Sequence, residues 1–148
     1  MEAHFSARID RQNLLELESV DAQLELLLGQ PLPVQKIILR DTLAEFGDIA
    51  EQTNQMLSAW ASGDDAALAA LVRDQTGTSA EAQQFLKELL DDRNTHMAAR
   101  IAQMLNNPGR YFVLVGSAHL AGEQSVITEL RKHGFYGKRI FSNDSSID

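Results

Sequence analysis

Apolar positions along this chain follow two rhythms, one helical and one extended. Helical spacing starts with Val20, Leu24, Leu27 and Leu28, a stripe that Ser19 is placed to cap and that Gly29-Gln30-Pro31 ends. Pro33 fits the first turn of a second helix. From residue 34 to about 62 the apolar positions are Ile38, Thr42, Leu43, Phe46, Ile49 and Ala50, then Met56, Leu57 and Trp60. That pattern predicts one long amphipathic helix, or two in tandem broken near Gly47-Asp48, with Met56, Leu57 and Trp60 as core or helix-packing residues. Ser62-Gly63-Asp64 marks a boundary, Leu68, Leu71 and Val72 belong to a short helix, and residues 74–78 form a loop. Ser79 opens a helix running to about residue 106, where Asn107-Pro108-Gly109 stops it. Its stripe is Leu86, Leu90, Asn94, Met97, Ile101 and Leu105, so Asn94 is a polar residue on an apolar face. A last helix over 123–132 ends at His133-Gly134.

Extended rhythm governs the remainder. Tyr111-Phe112-Val113-Leu114-Val115 is a short, unbroken run of aromatic, β-branched and aliphatic residues ending at Gly116, the pattern of a strand buried on both faces of a parallel sheet. Residues 137–141 predict a final strand, and strand, helix, strand makes a right-handed βαβ unit. Leu14 to Leu17 reads as a short strand turning at Ser19 into the first long helix, although Leu and Glu are better helix formers. The expected architecture is therefore α/β: helix-rich, with a small, mostly parallel sheet and a C-terminal βαβ unit. Residues 13–141 form a single domain in this reading, and 1–12 and 142–148 are flexible ends. So small a sheet leaves edges exposed, which predicts a homodimer that covers them.

Composition narrows the classes. One domain is expected for 148 residues, and a net charge of −8 argues against a nucleic-acid or anionic-membrane binder while tolerating a cation. The absence of cysteine excludes disulfides, thiolate catalysis and cysteine-based metal centres. No run is long and apolar enough for a transmembrane helix. Met1-Glu2-Ala3-His4-Phe5 lacks a signal-peptide pattern, so the chain as written reads as cytoplasmic, or as exported if it is part of a longer precursor.

Ligands of open α/β sheets sit off the carboxyl ends of parallel strands, and His119 lies in the loop leaving such an end. It reads either as a metal ligand or general base, with Gly116 and Gly122 supporting the loop, or as a loop histidine satisfied by local hydrogen bonds. Glu18, at the end of the first expected strand, faces the same edge and could share a divalent ion or a water with it; a solvated glutamate is the alternative. Asn94 needs hydrogen-bond partners and is either a structural tie or a group aimed at the ligand. Arg93 could clamp a carboxylate or oxyanion, or pair with Asp91 or Asp92. His4, His96 and His133 carry weaker signals, and no Walker A, Gly-x-Gly-x-x-Gly, His-Glu-x-x-His or Gly-x-Ser-x-Gly motif is present.

These residues resemble a known family. Leu17-Glu18-Ser19-Val20-Asp21-Ala22-Gln23-Leu24 is similar to the "Leu-Glu-Thr…Gln-Leu" block of the TraB/GumN family, which includes the TIKI-type proteases. Trp60-Ala61-Ser62-Gly63-Asp64 resembles its "Trp…Gly-Asp" segment, and Asp92-Arg93-Asn94-Thr95-His96-Met97 its "Glu-Arg-Asn" helix. Val115-Gly116-Ser117-Ala118-His119-Leu120-Ala121-Gly122 resembles its second Gly-x-x-His motif, and Leu130 to Phe135 its closing "Leu-x-x-x-Gly-Tyr". The blocks stand in the family's order.

The resemblance implies a TIKI-like, erythromycin-esterase-like α/β fold and a peptidase-like hydrolase dependent on manganese, cobalt or zinc. His119 would then be the motif histidine and a metal ligand, Glu18 its acidic partner as ligand and catalytic group, and Arg93 and Asn94 the helix-borne polar pair. The family's first Gly-x-x-His motif has no counterpart here, so the chain reads as the C-terminal part of such a protein, inactive alone in one reading. The alternative is a non-catalytic module that binds or sequesters a peptide or small molecule.

Overall fold

Serine caps and left-handed glycines set the ends of several helices. The computed structural model describes residues 2–74 and 79–141. Its helices are α1 (Glu2–Ser6), α2 (Val20–Leu28), α3 (Leu32–Glu45), α4 (Ile49–Ser62), α5 (Asp65–Asp74), α6 (Ala80–Leu86), α7 (Arg93–Leu105) and α8 (Val126–Lys132). The hydroxyls of Ser19, Ser79 and Ser125 accept from the backbone N–H groups of Ala22, Ala82 and Thr128, supplying partners that a first helical turn lacks. The tandem break predicted near Gly47-Asp48 is a 3-10 turn at Phe46–Asp48 between α3 and α4. Gly63, at φ 71°, ends α4, and the Asp64 carboxylate accepts from the Ala67 N–H to cap α5.

The helix expected from Ser79 onward is continuous but not uniform. α6 and α7 are joined by a π-helical segment, Lys87–Asp92. Arg93 and Asn94 follow it directly, and such wide turns recur where a helix re-aims side chains at a site. α8 begins at Val126, later than the residue-123 start the pattern predicts, because Ser125 supplies the cap. The start of the chain, expected to be unpatterned, holds the short α1, and Phe5 stacks at 5.1 Å between ring centroids on Phe112.

The expected sheet is not there among the described residues. Among the described residues no strand forms, so the α/β class, the small parallel sheet and the C-terminal βαβ unit are corrected to a helix-dominated fold. Residues 14–17, 111–115 and 137–141 do run without helical structure, but none pairs its backbone with another of the three. β-branched and aromatic residues favour extended backbone angles; a ladder also needs a neighbouring segment at about 4.8 Å, which local preference cannot supply. The run expected to be buried on both faces is instead largely open, Phe112 being 68% exposed. Val20, Leu24, Leu27 and Leu28 of α2, and Leu57 and Trp60 of α4, are likewise exposed rather than packed. Residues 75–78 of the expected loop and the tail 142–148 lie outside the described residues.

Among the described residues, burial concentrates in two small clusters. Met97, Ala98, Ile101 and Val126 pack where α7 meets α8, with Leu17, Val115 and Leu130 against them. Ala59, Leu68 and Ala121 pack where α4 meets α5. These clusters place the site: Leu17 anchors the chain beside Glu18, while Val115 and Ala121 anchor the two ends of the loop that carries His119.

Gly122 sits at φ 85°, and an added Cβ would lie 3.0 Å from the Ala69 Cβ on α5. Gly134 has the same φ with open space around it. Left-handed backbone costs an L-residue about 1–2 kcal/mol, so Gly134→Ala is expected to lose about that much. Gly122→Ala is expected to lose more, because the methyl also forces the loop away from α5. Urea denaturation midpoints of the two variants check this; equal losses would show that the contact with Ala69 carries no constraint.

Candidate functional site

The site is built from the end of the 14–18 segment, the first turn of α7 and a 3-10 turn at Ser117–Leu120. Gly116 precedes that turn and its carbonyl accepts from the His119 N–H at 3.0 Å, closing the loop around the histidine. His119 is 8% exposed and Asn94 is 2% exposed. Their side chains meet, with His119 Nδ1 2.6 Å from Asn94 Oδ1. The Asn94 amide nitrogen donates to the Gln124 carbonyl at 2.7 Å.

That last bond decides the chemistry of the histidine. A backbone carbonyl only accepts, so the amide nitrogen of Asn94 must face Gln124 and its oxygen must face His119. Oδ1 also only accepts, so His119 Nδ1 carries the proton. In the neutral ring Nε2 then keeps its lone pair. Burial lowers the pKa of His119 from its ordinary 6.5, the Arg93 charge lowers it further, and Glu18 opposes them. The ring is therefore neutral near pH 7, with Nε2 able to accept a proton or bind a cation.

Glu18 and Arg93 form the second pair. Arg93 Nε donates to both Glu18 oxygens, at 2.8 and 3.1 Å, and Nη2 donates to Oε2 at 2.7 Å. Arg93 Nη1 donates to the Leu89 carbonyl at 3.0 Å, back across the π-helical segment. Hydrogen bonding from Arg93 lowers the Glu18 pKa; burial opposes this, and the charges of Arg93 and His119 and the Gln23 side chain support it. A carboxylate held anionic thus adjoins a histidine held neutral.

All four polar residues singled out in the sequence, Glu18, Arg93, Asn94 and His119, come together in these two pairs. Gly116 and Gly122 bracket the histidine turn. His4, His96 and His133 lie elsewhere and are exposed. Gln124 carries no signal in the sequence, because the group it contributes is a backbone carbonyl that any residue has.

As donors to a divalent metal, the site offers one imidazole nitrogen and one carboxylate whose two oxygens already accept from Arg93. No group of three or more His, Cys, Asp or Glu able to hold an ion occurs among the described residues. Metal centres usually take at least three protein ligands, so the residues present do not fit a complete centre by themselves. Among the described residues no helix is long and apolar enough to cross a membrane.

Comparison with known proteins bears on the same residues. The model of the TraB/PrgY/gumN family matches residues 1–139. A relative from Nematostella vectensis, described as a metalloprotease TIKI homolog, is 40% identical over 55 residues. That match covers 36% of this chain and 12% of the relative, so the chain spans only a small part of that protein's length. No solved structure matches the chain.

Proposed function

This chain belongs to the TraB/PrgY/gumN family, and on that footing we propose that it carries part of a divalent-metal-dependent, peptidase-like hydrolase site. His119 and Glu18 are its ligands in this reading, and the further ligands come from polypeptide beyond the described residues. The observation that supports it most is the fixed ring of His119: Asn94 holds the Nδ1 proton and leaves Nε2 as a donor atom. Histidines that bind metals are usually oriented by such a partner on the other ring nitrogen. The relative described as a metalloprotease supports the same reading. Arg93 keeps Glu18 ionised and in place, and Gly116 and Gly122 set the loop. A metal, when bound, would supply an activated water; the chain's own part would be to hold an imidazole neutral and a carboxylate ionised.

A second reading, a peptide-binding module without turnover, draws support from the incomplete donor set and from the open backbone at 111–115. An extended peptide could pair with such a segment.

Titration of the wild type and His119→Ala with manganese, cobalt and zinc separates the two readings. The expected result is weak binding by the wild type, consistent with an incomplete ligand set, and none by the variant. Identical titrations for both proteins would overturn the metal reading, and peptide binding unaffected by chelators would then favour the module.

A further inference from the structure

Gln124 orients Asn94 through a carbonyl in the short loop between the histidine turn and α8, and that loop has its own tether. Arg73, in the last turn of α5, donates through Nη2 to Gln124 Oε1 at 2.8 Å. The same nitrogen donates to Asp91 Oδ1 at 3.0 Å, and Asp91 lies in the π-helical segment just ahead of Asn94. One guanidinium therefore binds the loop that supplies the acceptor and the helix that supplies the amide. Arg73, Asp91, Asn94, Gln124 and Ala118 line one small cavity, so the tether and the histidine turn share a wall.

We propose that Arg73 is a positioning residue for His119, acting through Gln124 and Asn94 to keep Nε2 unprotonated. The inference rests on the reading of His119 as a ligand or base; as a statement about the ring it stands without a metal. If the Gln124 peptide rotates, the Asn94 amide loses the acceptor that fixes its direction. Turned over, the amide would offer an N–H to Nδ1 and move the ring proton to Nε2, which removes the donor atom. Arg73 is 41% exposed in its pair with Asp91, so the pair itself adds little stability. Its consequence lies in orientation, which separates it from a merely structural contact.

Long-range 1H–15N correlation spectra of the labelled full chain at pH 8, where imidazole is neutral, read the tautomer directly. Wild type should show His119 protonated at Nδ1. Arg73→Met and Gln124→Ala should each show a mixture of tautomers, with helical circular dichroism unchanged, and the double variant should be no worse than either single one. Arg73→Lys, which keeps a donor, should recover part of the wild-type spectrum. A pure Nδ1-protonated ring in both single variants would overturn the proposal, whatever the metal titrations show. If Arg73→Met fails to fold, Gln124→Ala still decides, because it removes only the tethered amide and leaves the carbonyl.

Discussion

Arg93→Met is expected to destabilise the protein by about 3 kcal/mol. Arg93 makes three of its hydrogen bonds to Glu18 and a fourth to the Leu89 carbonyl, joining the 14–18 segment to the helical turn that precedes α7. The Glu18 side chain is only 14% exposed, so removing the guanidinium leaves a carboxylate poorly hydrated and unpaired. Replacing both partners removes that penalty, and Glu18→Leu combined with Arg93→Met should recover most of the loss. Urea denaturation of the single and double variants measures this coupling. A double variant as unstable as the sum of the singles would mean the pair is not the source of the cost.

The same pair sets a pH dependence. Arg93 holds Glu18 below its ordinary 4.5, so this contribution is present above pH 4.5 and is lost as pH falls through the lower folded value. Burial, then Arg93, hold His119 below 6.5 against the opposing pull of Glu18. Below pH 6.5 the unfolded chain takes up the histidine proton first, and stability declines as pH falls further. Both contributions have the same sign, so wild-type stability should rise with pH across the acid range. Arg93→Met reverses the carboxylate part, because a partly buried Glu18 without its partner is left with desolvation, which favours the proton. Denaturation midpoints from pH 4 to 8 would show a shallower slope in the variant; parallel slopes would count against the pairing.

Asn94→Leu is expected to cost about 2–6 kcal/mol, since it strands two buried groups at about 1–3 kcal/mol each. These are the His119 Nδ1–H and the Gln124 carbonyl, both now paired with the one amide. Asn94→Asp separates the two contacts. It keeps an acceptor for His119 but turns a carboxylate oxygen toward the Gln124 carbonyl, and its charge stabilises the imidazolium. The His119 pKa should therefore rise in Asn94→Asp, while Asn94→Leu loses the fixed tautomer. Histidine titration by NMR and denaturation of both variants check this. If Asn94→Leu were as stable as wild type with an unchanged ring, the amide would not be what orients His119.

Helix boundaries were legible because their causes lie within a few residues. Ser19 and Ser79 bond to N–H groups of their own first turns, and Gly63 and Gly134 take backbone angles that other residues resist. Asn94 could be singled out because helical spacing sets it among Leu90, Met97 and Ile101, where an amide needs a partner. His119 and Gly122 stood out because a glycine-bounded loop follows an apolar run. Which groups meet was not legible. Glu18 and Arg93 are 75 residues apart in sequence, and Asn94 and His119 are 25 apart.

Capping and periodicity depend on neighbours along the chain, so the sequence by itself determined where most helices begin and end and which polar residues break an apolar pattern. Extended preference at 14–17, 111–115 and 137–141 was equally local, but a sheet requires one segment's N–H groups to meet another's carbonyls, and no local signal carries that. Only the tertiary structure decided that none of these segments pairs its backbone with another of the three. Only it decided that α7 bonds Glu18 with one residue and His119 with the next. The physical reason is that pairing energy belongs to groups distant in sequence, and packing of Leu17, Val115 and Ala121 determines whether they come within hydrogen-bonding distance.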